Sequence, residues 1–126
     1  MLAENDLKIL VVDDFSVTRT ILMNQLNNYG YSNTVVSENG FSALASLRSA
    51  IFDLVITEWS MSDMNGIDLL KQIRADSELK RIPVLMVISE DLQGNIVSAI
   101  KEGLNDYIIR PFDGHTFKQK LEKIIV

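Results

Sequence analysis

The chain contains no cysteine and a single histidine. Without thiols there is no disulfide, no thiolate nucleophile and no Cys-ligated zinc, a pattern that fits a reducing compartment. With His115 as its one imidazole, neither a catalytic triad nor a zinc site has support. Positive charge is also scarce: 12 Lys and Arg face 17 Asp and Glu, a net charge of −5. Such a balance sets up no basic field to draw the chain to nucleic acid or to an anionic membrane surface. No apolar run approaches membrane-spanning length, and the opening MLAENDLK is polar where a signal peptide would be apolar. The reading is a cytoplasmic chain with no nucleic-acid or membrane partner.

Apolar residues make up 47% of the 126 positions and charged residues 23%, enough for one domain over 1–126 with a proper core. Their pattern alternates between two kinds of segment. Residues 8–12 (KILVV), 34–36, 54–56 (LVI), 84–88 (VLMVI) and 106–109 are short apolar or β-branched runs, as buried strands are. Between them run helical spacings: Val17, Ile21, Leu22 and Leu26, capped by Ser16 and ended by Asn28 and Gly30; then Phe41, Leu44 and Leu47 after a turn at Asn39 and Gly40. Ile67, Leu70 and Ile73 follow the Asn65-Gly66 loop, Ile96, Val97 and Ile100 lie in a helix over 91–102 stopped by Gly103, and Phe117, Leu121 and Ile124 close the chain. The two prolines fit this plan, Pro83 opening the fourth strand and Pro111 breaking the fifth. Five βα units predict an α/β fold with a parallel sheet covered on both faces and wound by right-handed crossovers.

In such sheets ligands and chemistry collect outside the carboxyl ends of the strands. Those ends bring together Asp13, Asp14 and Glu58 with Ile88, Ser89 and Arg110. Like charges about 4 Å apart repel by roughly 4 kcal/mol at an effective dielectric near 20, so three carboxylates require a metal ion, Arg110 or a shared proton. Hard oxygen donors with room for water suit Mg²⁺.

The segments VVDDFS, the strand-end acid before W-x-M-x-x-M-x-G, PVLMV and Y-I-I-R-P-F resemble receiver domains of bacterial response regulators, most closely the stand-alone chemotaxis type. The resemblance runs through the whole chain, in order. It implies a flavodoxin-like (βα)5 doubly wound sheet of strand order 2-1-3-4-5 and a role in two-component or chemotaxis-type signalling. In that family two acids after the first strand bind Mg²⁺, a third-strand aspartate accepts a phosphoryl group, a Thr or Ser binds the phosphate and a lysine neutralises it. Asp13 and Asp14 match the metal pair, with Glu58 and the Ser60 carbonyl as further ligands of a weakly held Mg²⁺.

Three positions depart from that pattern: Glu58 stands at the phospho-acceptor position, Ile88 at the hydroxyl position and Arg110 at the lysine position. An added methylene displaces the carboxylate by roughly an ångström, an error that costs about a hundredfold where catalysis is positioning. Ile88 lacks a hydroxyl whose bond to a charged phosphate is worth about 1.5 to 3 kcal/mol, and its bulk is expected to close the site. Ser89 would substitute only through a local bulge, because neighbouring strand residues point to opposite faces. Arg110 cannot lose its proton and is expected to pair permanently with Glu58.

The resemblance further implies protein partners, a sensor kinase and a flagellar-switch-like or other signalling protein, for a monomeric module. It places the partner surface on the fourth helix, fifth strand and fifth helix, with Tyr107 as switch aromatic beside Ile109, and Trp59 as reporter. Where chemotaxis relatives carry two lysines early in the fourth helix, this chain has Gln93 and Leu92, the leucine expected to be exposed. Lys118, Lys120 and Lys123 keep some positive character on the last helix. The leading expectation is therefore a pseudo-receiver that acts by recognition. The alternative is an active Mg-dependent phospho-acceptor that dephosphorylates itself. A flavin protein of the same topology is set aside, because DDFSVTR is not a Gly-rich or Ser/Thr-rich phosphate loop.

Overall fold

The computed structural model describes residues 6–125. Residues 1–5, part of the polar opening that differs from a signal peptide, lie outside the described residues. Five strands, β1 (Ile9–Val12), β2 (Thr34–Ser37), β3 (Leu54–Glu58), β4 (Val84–Ser89) and β5 (Asp106–Arg110), alternate with helices α1 (Ser16–Asn28), α2 (Gly40–Ser49), α3 (Gly66–Ala75), α4 (Ile96–Lys101) and α5 (Gly114–Ile125). The strands form one sheet in the order β2-β1-β3-β4-β5, and every pairing is parallel. This is the doubly wound, flavodoxin-like arrangement expected. No helix among the described residues is long and apolar enough to cross a membrane.

The period-two alternation of the strands divides the core in two. Ile9, Val11, Leu54, Ile56, Leu85, Val87 and Ile108 pack under Leu22 and Leu26 of α1 and Phe117 and Leu121 of α5. Leu10, Val12, Val55, Val84, Met86 and Ile88 pack on the other face, under α2, α3 and α4. β1 and β3 are buried at every position, because both edges and both faces are covered. The sheet edge is less enclosed, and Val36 of β2 is exposed.

Several helical details differ from expectation. Ser16 does not cap α1: Phe15 occupies the cap position without a side-chain bond, and the Asp13 carboxylate accepts from the Phe15 N–H at 2.9 Å instead. In α1 only Leu22 and Leu26 are buried, whereas Val17 and Ile21 face outward. Phe41 in α2 and Val97 and Ile100 in α4 are likewise exposed. The sheet accepts one stripe about 100° wide from each helix, and apolar residues outside that arc stay in solvent. The helix read over 91–102 is two pieces, a 3-10 segment Glu90–Asn95 followed by the short α4.

Two asparagines read as turn residues do more. Asn39 caps α2, accepting from Ser42 N–H at 2.8 Å, and Asn65 caps α3, accepting from Asp68 N–H at 3.0 Å. Asp113 does the same for α5, accepting from Thr116 N–H at 2.7 Å. Gly30, with φ of +89°, ends α1 in the left-handed region.

Candidate functional site

Glu58 is the last residue of β3 and Arg110 the last of β5, with β4 between them. Glu58 lies two residues after Ile56, and Arg110 two after Ile108, so both side chains rise on the α1–α5 face of the sheet. Arg110 reaches across β4 and ion-pairs with Glu58 through Nη2 and Oε1. The Glu58 side chain is only 5% exposed, and its second oxygen, Oε2, is buried without a hydrogen-bond partner. Burial pushes its carboxyl up to about 7, against the pull of Arg110 and of a backbone hydrogen bond from Ser60, and with a further push from nearby Asp13.

The two acids after β1 are unequal. Asp13 is buried and already engaged: Oδ1 accepts from Phe15 N–H, Oδ2 accepts from the Thr18 hydroxyl, and its carbonyl accepts from Arg19 Nη1 at 2.6 Å. Asp14 is exposed and ties the neighbouring loop by accepting from Ser62 N–H at 3.0 Å. These groups enclose a cavity of about 140 Å³ lined by Asp13, Asp14, Thr18, Glu58, Ser60 and Arg110, with Phe15 completing it. The expected acidic pocket with one cation beside it is thus assembled; Thr18 and Phe15 join its lining, and Arg19 holds the Asp13 carbonyl. The sequence carried one cue to Thr18 and Arg19, since both follow the acids on the first turn of α1.

Two strand-end residues do not join. Ile88 is fully buried on the opposite face, with Val84 and Met86, and does not line the cavity, so its bulk does not close the site. The strand's alternation decides this: Val87, not Ile88, shares the face of Glu58. The Ser89 hydroxyl donates to Asp91 Oδ1 at 2.5 Å and serves its own loop.

The donors are right in kind for Mg²⁺, but their arrangement does not fit a resident dication. Among the described residues, no three His, Cys, Asp or Glu side chains are grouped so as to hold a metal ion. Both Asp13 oxygens accept internal hydrogen bonds, and a guanidinium already sits on Glu58. Octahedral coordination at about 2.0–2.1 Å leaves little room for a second cation on the same carboxylate.

Away from this pocket, Tyr107 and Ile109 of β5 are half-buried on the face toward α4. Lys120 is not a free surface cation: it pairs with Asp106 at 2.9 Å and lies 5.2 Å from the centre of the Tyr107 ring. Lys118 lies 3.9 Å from Glu122, and Lys123 is exposed. Leu92 is half-buried against the core instead of exposed, while Gln93 faces solvent. Trp59 is 8% exposed, next to Glu58 in the chain.

Residues 9–122 match the sequence pattern of the family described as "Response regulator receiver domain". The chain is 49% identical over 119 residues to the chemotaxis protein CheY-3 of Vibrio cholerae, covering 94% of this chain and 92% of that protein. Among solved structures it resembles V. cholerae chemotaxis protein CheY4, with a TM-score of 0.85 at 28% identity, covering 94% of this chain and 98% of the other. It also resembles the receiver domain of the Pseudomonas aeruginosa sensor histidine kinase PA1611, a structure with magnesium coordinated in its active-site cleft, at TM-score 0.85 and 25% identity over 94% and 97% of the two chains.

Proposed function

The chain belongs to the response regulator receiver domain family, and from that premise we propose that it is a pseudo-receiver, signalling through protein–protein contact with impaired phosphoryl acceptance. The receiver role in two-component, chemotaxis-type signalling is common to the family. The pseudo-receiver reading rests on one observation: the guanidinium of Arg110 is ion-paired to the buried carboxylate that stands where the family's phospho-acceptor is expected.

An arriving phosphoryl group needs an in-line approach to a free carboxylate oxygen, charge neutralisation and a hydroxyl on its own oxygens. Here Glu58 Oε1 is taken, and Arg110 is already neutralising a neighbour. The Ile88 position supplies no hydroxyl and faces the other side of the sheet. Magnesium at Asp13, Asp14, Glu58 and the Ser60 carbonyl would have to displace Arg110, so its binding is expected to be weak. The partners fitting this reading are a sensor kinase and a switch-type or other signalling protein, met by a monomeric, cytoplasmic module that contacts neither nucleic acid nor membrane.

Incubation with acetyl phosphate and Mg²⁺, read by intact mass, is the test. The unmodified chain is expected to gain no phosphoryl group. Glu58→Asp alone is expected to restore little, and Arg110→Lys to be needed as well. The competing reading, a working phospho-acceptor, draws on the unpaired Glu58 Oε2 as nucleophile. A stoichiometric gain of one phosphoryl group on the unmodified chain would establish it instead.

A further inference from the structure

We propose that the groove along β5 and the start of α5 docks an apolar segment of a partner protein flanked by lysine or arginine, and that Asp106 sets this preference by withholding Lys120. The inference rests on the reading that the chain acts through protein contact, and it names the chemistry of the partner.

The groove encloses about 400 Å³, and its apolar wall is formed chiefly by Tyr107, Ile109, Pro111 and Phe112. Tyr107, Ile109 and Phe112 are half-buried and Pro111 is exposed, so the chain's own elements cover this wall only in part. On the side of the sheet that Tyr107 and Ile109 share with α4, the exposed Val97 and Ile100 add further apolar surface. An apolar side chain of a partner has a seat here, and the charges on the lining decide which partner takes it.

Two charged residues line the groove, Lys120 and Asp113. Lys120 is neutralised from within. Asp106 Oδ1 accepts from its Nζ at 2.9 Å and from the Tyr107 N–H at 2.8 Å, and the ammonium lies 5.2 Å from the centre of the Tyr107 ring. The Asp106 side chain is 11% exposed and that of Lys120 30%, so salt screens this pair less than one held in open solvent. A partner's carboxylate would have to take Lys120 from an acid already beside it, and would meet that acid's charge as it approached. Asp113 is exposed, and hydrogen bonds from the Thr116 N–H and hydroxyl hold its carboxyl below the usual range, so it stays ionised. With Lys120 paired to Asp106, the net charge of the lining is that of Asp113. Lys118 lies 3.9 Å from Glu122, and Lys123, though exposed, is not part of the lining. Glu90 and Asp91 are exposed in the segment that follows β4, the strand paired with β5, and add field of the same sign. A basic residue beside an apolar anchor therefore meets attraction where an acidic one meets repulsion.

Two labelled amphipathic peptides with the same leucines, one flanked by lysines and the other by glutamates, are titrated against the full chain by fluorescence anisotropy at low and physiological salt. The lysine peptide is expected to bind at least about fivefold more tightly, and Asp113→Asn to weaken it. Glu78→Gln, beyond α3, is expected to change nothing, and an equal loss there would mean unspecific attraction to an acidic chain. Asp106→Asn keeps an acceptor for the Tyr107 N–H while loosening Lys120, and is expected to raise affinity for the glutamate peptide several-fold. In a Lys120→Met background that gain is expected to shrink, an outcome that a merely structural role for Asp106 would not produce. The proposal is overturned by no saturable binding of either peptide, by tighter binding of the glutamate peptide to the unmodified chain, or by an Asp106→Asn gain of the same size with and without Lys120. Phosphorylation is read separately by intact mass. Failure of the peptides on a chain that gains no phosphoryl group removes the groove and leaves the pseudo-receiver reading standing, whereas phosphoryl gain would sink that reading whatever the peptides do.

Discussion

Glu58 keeps one oxygen on Arg110 and the other unpaired in a buried pocket, and the balance of these two conditions sets how the fold responds to pH. Burial raises its carboxyl from 4.5 to about 7, so the folded chain holds this proton more tightly than the unfolded chain does. Where the folded state binds more protons, stability falls as pH rises. The loss therefore accumulates between 4.5 and about 7 and is complete above that, with a ceiling of about 3 kcal/mol. The denaturant midpoint is expected to drop between about pH 5 and about pH 8, and Glu58→Gln is expected to flatten the slope in that window. A wild-type midpoint that rises through the same window would mean that Arg110 outweighs burial.

The element that carries the site is the connection from β3 to α3, and its geometry rests on Asn65 and Gly66. Asn65 caps α3, and the Gly66 N–H donates to the Trp59 carbonyl at 2.7 Å, folding the loop back onto the strand end. A Cβ on Gly66 would lie 2.5 Å from the Glu58 carbonyl oxygen and 3.0 Å from Trp59 Cα, both of them backbone that cannot rotate away. Asn65→Ala is therefore expected to cost about 1 kcal/mol through the lost cap. Gly66→Ala is expected to cost more and also to displace Glu58, changing the pH slope as well as the midpoint; urea unfolding of both variants at two pH values checks this. In α1, helical spacing is kept but burial is divided. Val17, Ile21, Leu22 and Leu26 all fit helical spacing, but Val17 and Ile21 sit about 100° or more around the helix from Leu22, and one sheet face cannot cover both.

At the scale of the molecule, the parallel sheet puts the acidic pocket at one end and the α4–β5–α5 surface along one edge. That surface has less positive charge to offer than its lysines suggest, because Lys120 is spent on Asp106 and Tyr107. Poor binding to an acidic flagellar-switch-type peptide is therefore expected, and Gln93→Lys is expected to improve it by restoring an exposed cation. Leu92→Lys should add to that charge effect, yet it removes a side chain packed against the core and is expected to lower the melting temperature. Equal affinity of wild type and Gln93→Lys across low and physiological salt would show that the position does not set partner choice.

The strands, their order in the chain and the acidic residues at their ends were legible without coordinates. Buried parallel strands need unbroken apolar runs, and a strand's last residue is where its carboxyl end must be. The pairing of Glu58 with Arg110 was also foreseeable, from a permanent fork beside a lone acid. What only the tertiary structure decided was sidedness and saturation. Ile88 and Val87 differ by one place in a run of identical character, so whether the apolar bulk enters the pocket depends on the pairing of β4 with β3 and β5. The sequence gives Asp13 two free oxygens; folding brings Phe15 N–H and Thr18 to them and leaves the vacancy on Glu58 Oε2 instead. Composition sets which donors and acceptors exist, but a carboxylate's partners are fixed by distances of a few ångströms across elements, and those arise only when the sheet closes and the helices settle on it.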